Sequence, residues 1–163
     1  MTTAFRTIGW LYFAADPSPL AHLFAWIGRF HILVVHFPIA LMIAGALAEM
    51  WNVWRRNHSL RTVVRFCTLV GAAGAVAAAA LGWLHADFGG FGGDLPEVLN
   101  MHRWLGTAAA LSAVASAALC ERCIRLGRGN LQFRFLLLAT AALISAAAHF
   151  GGTLVHGDGF FEW

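Results

Sequence analysis

Four apolar runs constrain this chain more than any other feature. They cover about residues 31–54, 62–85, 102–124 and 131–149, each long enough to cross a hydrocarbon core of about 30 Å. In lipid the backbone must satisfy its own hydrogen bonds, so runs of this length read as transmembrane helices. The expected fold class is all-α: an integral membrane four-helix bundle. It divides into an interfacial N-terminal segment at 1–28, a transmembrane domain at 29–158 and a tail at 159–163. Composition agrees. The chain is 60% hydrophobic and 12% charged, against about 25% charged in a soluble domain.

All eleven basic residues are arginine, and the net charge is +3. Most of them sit between apolar runs and form no stripe, which speaks for membrane orientation and against a nucleic-acid partner. Arg55, Arg56 and Arg61 follow the first run, and Arg122, Arg125 and Arg128 follow the third. Asp87, Asp94, Glu97, Asp158 and Glu162 lie at the opposite end. The positive-inside rule then places both arginine loops in the cytoplasm and both termini outside, in a bacterial inner membrane. Ahead of the first run, Ser18 and Pro19 fit an N-cap and first helical position. Trp10, Tyr12, Phe13 and Trp26 suit the water–lipid boundary, and residues 1–15 are expected to be retained rather than cleaved.

The histidines are not scattered. His31 and His36 open the first run, His85 closes the second, His102 opens the third, and His149 and His156 follow the fourth. Six of the eight histidines therefore gather at the extracytoplasmic end, with His22 outside and His58 at the arginine end. His31 and His36 point about 140° apart on a helix, and Pro38 removes an N–H beside them, so a kink is expected at His36. On the same helical geometry His36 and His149 are the deeper pair. Imidazoles buried among alanines need partners, since an unsatisfied polar group costs about 1–3 kcal/mol.

Two readings answer that need: a metal or haem centre, or a network of hydrogen-bonded histidines. For a metal, the expected ligands are His36, His85, His102 and His149, with His31 and His156 completing the cofactor-binding set. Alanine and glycine along the second and third runs leave room for a flat ligand, and Phe37, Trp83, Trp104 and Phe150 suit a porphyrin. One or two haem b groups are the first expectation, and a copper, iron or zinc centre is the alternative. The chain lacks Cys-x-x-Cys-His, so covalent haem attachment is not expected.

Phe30-His31-x4-His36-Phe37-Pro38-Ile39-Ala40, Gly82-Trp83-Leu84-His85, His102-Arg103-Trp104-Leu105-Gly106 and His149-Phe150-Gly151-Gly152-Thr153-Leu154-Val155-His156-Gly157 together resemble an uncharacterised bacterial membrane family, domain of unknown function 2231. Ile32 stands where that family often has proline. The resemblance implies a four-helix membrane protein, sometimes joined to cytochrome c domains, with no settled activity. More distantly, the layout is similar to small b-type cytochromes.

Other motifs carry less. Cys120 and Cys123 form a Cys-x-x-Cys at the arginine end, but with Cys67 they make only three cysteines, short of a four-thiolate site. The glycine-rich stretch 89–93 has no preceding strand and no Gly-Lys-Ser/Thr, so it is a turn and not a nucleotide loop. Glu49, inside the first run, is expected to pair with Arg55, Arg56, Arg61 or Arg65. No serine lies among the histidines, which excludes a hydrolase triad, and no catalytic residue is assigned. The expected role is a non-catalytic electron-transfer subunit of an oxidoreductase complex. Its partners would be lipid, quinone and a periplasmic cytochrome c or dehydrogenase. A structural anchor is the remaining alternative.

Overall fold

The computed structural model describes residues 18–89, 95–127, 129 and 131–157. The aromatic segment 1–17, the glycine stretch 90–93, Asp94, Arg128 and the acidic tail lie outside the described residues. Among the described residues six helices follow in order: α1 (Pro19–Gly28), α2 (His31–Val34), α3 (His36–Trp54), α4 (Arg61–Phe88), α5 (Pro96–Leu126) and α6 (Leu131–His156). The first three form one near-continuous rod, so the described residues hold four helices long and apolar enough to cross a membrane. It is an all-α, four-helix membrane bundle.

Each boundary has a local cause. The Ser18 hydroxyl accepts from the Ala21 N–H at 3.3 Å and Pro19 opens α1, as those residue types favour. Between α1 and α2 the helix tightens: Arg29 N–H donates to Trp26 O and Phe30 N–H to Ile27 O, three residues back. A second interruption falls at Val35, where Pro38 offers no N–H to the Val34 carbonyl. Both joints keep right-handed helical dihedrals, so the rod bends without folding back. Gly127, at φ 63°, closes α5 through its N–H to Cys123 and Ile124 carbonyls, a left-handed cap that glycine adopts freely.

The helices pack as a square. α3 lies against α4 and α6, and α5 also lies against α4 and α6, leaving α3 and α5 on one diagonal. Short connections make sequence neighbours antiparallel. Close approach depends on small side chains, the usual interface in lipid. Ala46, Ala72, Ala75, Ala109, Ala110 and Ala113 are buried around Met42 and Leu137, while Phe37, Leu111 and Phe135 point outward. Buried hydroxyls are satisfied internally. Thr140 donates to Leu136 O at 2.8 Å and receives Ser112 at 2.6 Å and Ser116 at 3.1 Å.

Glu49 does find an arginine, but on the last helix rather than in the adjoining loop: Arg134 Nε donates to it at 2.8 Å. Arg65 instead grips Glu121 with two bonds, at 2.6 and 3.0 Å. Both pairs tie helices together at the arginine end.

At the opposite end α1 stays against α4. A Cβ on Gly28 would come within 2.6 Å of the His85 backbone nitrogen, and Phe24 meets Phe88 with ring centres 5.3 Å apart. Replacing Gly28 by leucine must therefore push α1 off α4, at a cost of about 1–3 kcal/mol. At Gly106 a Cβ meets nothing within 4 Å, and alanine there gains about 0.5–1 kcal/mol of helix stability. Thermal unfolding in detergent should fall for Gly28→Leu and hold or rise for Gly106→Ala.

Candidate functional site

A cavity of about 440 Å³ opens at the histidine end of the bundle, within the size range of small-molecule sites. Its walls come from α2 to α6, and five of the six histidines expected there line it: His31, His36, His85, His102 and His156. His149 does not line it and is exposed, with its ring 5.7 Å from that of Phe150. His36 and His156 are also exposed, at the cavity's edge, whereas His31, His85 and His102 are half-buried.

The innermost pairing is His31 with His102. These residues stand on the α3 and α5 sides of the square, on one diagonal, yet their ring centres are 5.9 Å apart at an interplanar angle of 78°. Each ring is held the same way. His31 Nδ1 lies 2.8 Å from the Ala78 carbonyl on α4, and His102 Nδ1 lies 2.8 Å from the Ala147 carbonyl on α6. A carbonyl can only accept, so Nδ1 carries the hydrogen in both rings. In the neutral ring that leaves Nε2 as a bare lone pair, the form in which histidine binds metals.

One helical turn beyond each carbonyl stands a glycine. A Cβ on Gly82 would fall 3.0 Å from the His31 ring, and a Cβ on Gly151 would fall 3.0 Å from the His102 ring. The two halves thus repeat one device: a histidine on the first helix, then Ala-x3-Gly on the second. Neither the pairing nor the glycine dependence was assigned from sequence, although the spacing of Ala78 to Gly82 and Ala147 to Gly151 carries the signal.

Beside this pair the wall is charged. Arg103 Nη2 donates to Asp87 at 2.7 Å, and the guanidinium lies 3.8 Å over the Trp83 ring. Trp83 Nε1–H donates to the Thr107 hydroxyl at 3.1 Å, which in turn donates to the Arg103 carbonyl at 2.8 Å. Arg103 Nε is buried and has no acceptor among the described residues.

The compact zinc or copper alternative needs three or four converging ligands. No group of three His, Cys, Asp or Glu side chains among the described residues is arranged to hold an ion. At the arginine end Cys120 is buried and Cys123 half-buried, both as free thiols beside a smaller cavity of about 100 Å³ that Glu49, His58 and Arg134 also line.

Residues 29–161 match the model of a family described as "Predicted membrane protein (DUF2231)", and the chain belongs to that family. No curated protein and no solved structure matched the chain.

The histidine geometry is open to direct measurement. In ¹⁵N-histidine-labelled protein in micelles, the neutral form of the His31 and His102 rings should carry its hydrogen on Nδ1. Gly82→Val and Gly151→Val, which place a side chain where the imidazole lies, should each abolish that signature at the facing histidine and spare the other. Nε2-protonated rings in the unaltered protein would contradict the assignment.

Proposed function

We propose that this DUF2231 membrane protein is a b-type haem protein that moves electrons at the histidine end of the bundle, with His31 and His102 as the residues that would hold the haem. The observation that carries this reading is the matched presentation of two imidazoles from opposite corners of the bundle. Each is oriented by a carbonyl, with ring centres 5.9 Å apart. Because a carbonyl engages Nδ1 in each ring, Nε2 is the nitrogen of each that would hold the iron. Haem iron takes two such protein ligands, so the lack of a three-ligand cluster does not count against it.

The residues present suit the group. Ala79, Gly82, Ala86, Gly106, Ala148 and Gly151 form small-residue walls to the cavity, which admit a flat ligand where larger side chains would fill the slot. When bound, haem would supply one-electron chemistry. The chain's own work is to fix the tautomer and direction of both imidazoles and to enclose the site in apolar wall.

The cavity's placement supports transfer along one face of the membrane. The cavity histidines lie at one end and the arginine loops at the other. Positive-inside orientation makes the histidine end extracytoplasmic, with both termini outside, in a bacterial inner membrane. A single one-sided centre does not carry electrons across the bilayer. It passes them along one face, between membrane quinone and a periplasmic partner such as a cytochrome c or dehydrogenase, as part of a larger complex.

Purified protein should show a reduced-minus-oxidised difference spectrum of b type, with extractable, non-covalent porphyrin. His31→Ala and His102→Ala should each remove the low-spin signal, while His149→Ala and His58→Ala should retain it. Gly151→Val, acting only through His102, should weaken haem affinity by about 10–100-fold, the usual cost of losing the group that orients a ligand. A well-folded preparation carrying no porphyrin, and taking none up, would overturn the reading.

A further inference from the structure

We infer that Arg103 is the seat of a carboxylate on the ligand of this cavity; this rests on the haem reading and deepens it. The observation is a charged side chain built into an apolar wall and left incomplete. A guanidinium offers five N–H donors, and Asp87, half exposed, takes only one side of it through Nη2. Its Nε is buried with no acceptor among the described residues, while the same side chain lines the cavity that holds His31 and His102.

The surroundings fix where an acceptor can approach. Trp83 covers one face of the guanidinium at 3.8 Å, and Thr107 ties both Trp83 and the Arg103 backbone in place. The indole is itself braced edge-on by Trp104, with ring centres 5.7 Å apart. With one face covered by Trp83 and Nη2 engaged by Asp87, the buried Nε–H is the donor left for an acidic oxygen in the cavity. Arginine donates to carboxylates in charge-assisted hydrogen bonds. A purely structural Arg103–Asp87 pair would not need the stacked, cavity-lining placement or the unused Nε.

The chemistry this selects is a flat, largely apolar molecule bearing an acid at its edge. Haem b has that character through its propionates, and a porphyrin with those acids masked does not. Arg103 would thereby hold the acid-bearing edge of the ligand, which the two histidines alone leave unspecified.

The test compares iron protoporphyrin IX with its dimethyl ester, titrated into full-length, detergent-solubilised protein. The unaltered protein should bind the free acid about tenfold more tightly than the ester, the worth of one charge-assisted contact. Arg103→Gln should bind both porphyrins alike, at the affinity the unaltered protein shows for the ester, and Arg103→Lys should restore part of the preference. Retained ester binding certifies that Arg103→Gln is folded. Equal binding of acid and ester by the unaltered protein overturns the role of Arg103 and leaves the haem reading standing. Binding of neither overturns both.

Discussion

The structure depends on a simple demand: an imidazole among alanines must find an acceptor, and the helices offer few besides their own backbone carbonyls. In lipid such carbonyls are already engaged along the helix. A second donor reaches one only where the next turn presents no side chain. Gly82 and Gly151 supply that opening, and His31 and His102 use it at the same 2.8 Å distance. The result is two rings fixed in direction before any ligand arrives, which is what a preorganised ligand pair requires.

Much of the architecture was legible from residue patterning alone. Four apolar runs, arginine loops on one side and histidines on the other lead directly to a square of antiparallel helices, because span length and short connections leave few other arrangements. The partners within the site were harder to read. His36 and His149 seemed the deeper pair by sequence position, yet both are exposed and only His36 borders the cavity. Depth along a helix follows from counting residues, but azimuth depends on how neighbouring helices are rotated. The breaks at Arg29–Phe30 and Val35 reset that rotation for the first helix. For the same reason Glu49 could be given an arginine but not the right one. Arg134 is distant in the chain and adjacent only because α3 and α6 close the square.

The two ends of the bundle are built from different chemistry. At the arginine end, ion pairs between helices lock the ends of the spans: Glu49 with Arg134, and Arg65 with Glu121. Halfway along, hydroxyls of Ser112, Ser116 and Thr140 bond among themselves inside the α5–α6 interface. At the histidine end the packing parts to leave a cavity of about 440 Å³, and there the small residues that elsewhere bring helices together hold space open instead. Gly106, with nothing within 4 Å of a notional Cβ, marks that change of use.

Each histidine latch closes within its own pair of consecutive spans, His31 onto Ala78 in the first and His102 onto Ala147 in the second. During membrane insertion, either helical hairpin can thus complete its latch while the other is still absent. What neither half can make alone is the edge-on meeting of the two rings, which forms only as the hairpins dock. A ligand held between those rings would join the two halves as a clasp does.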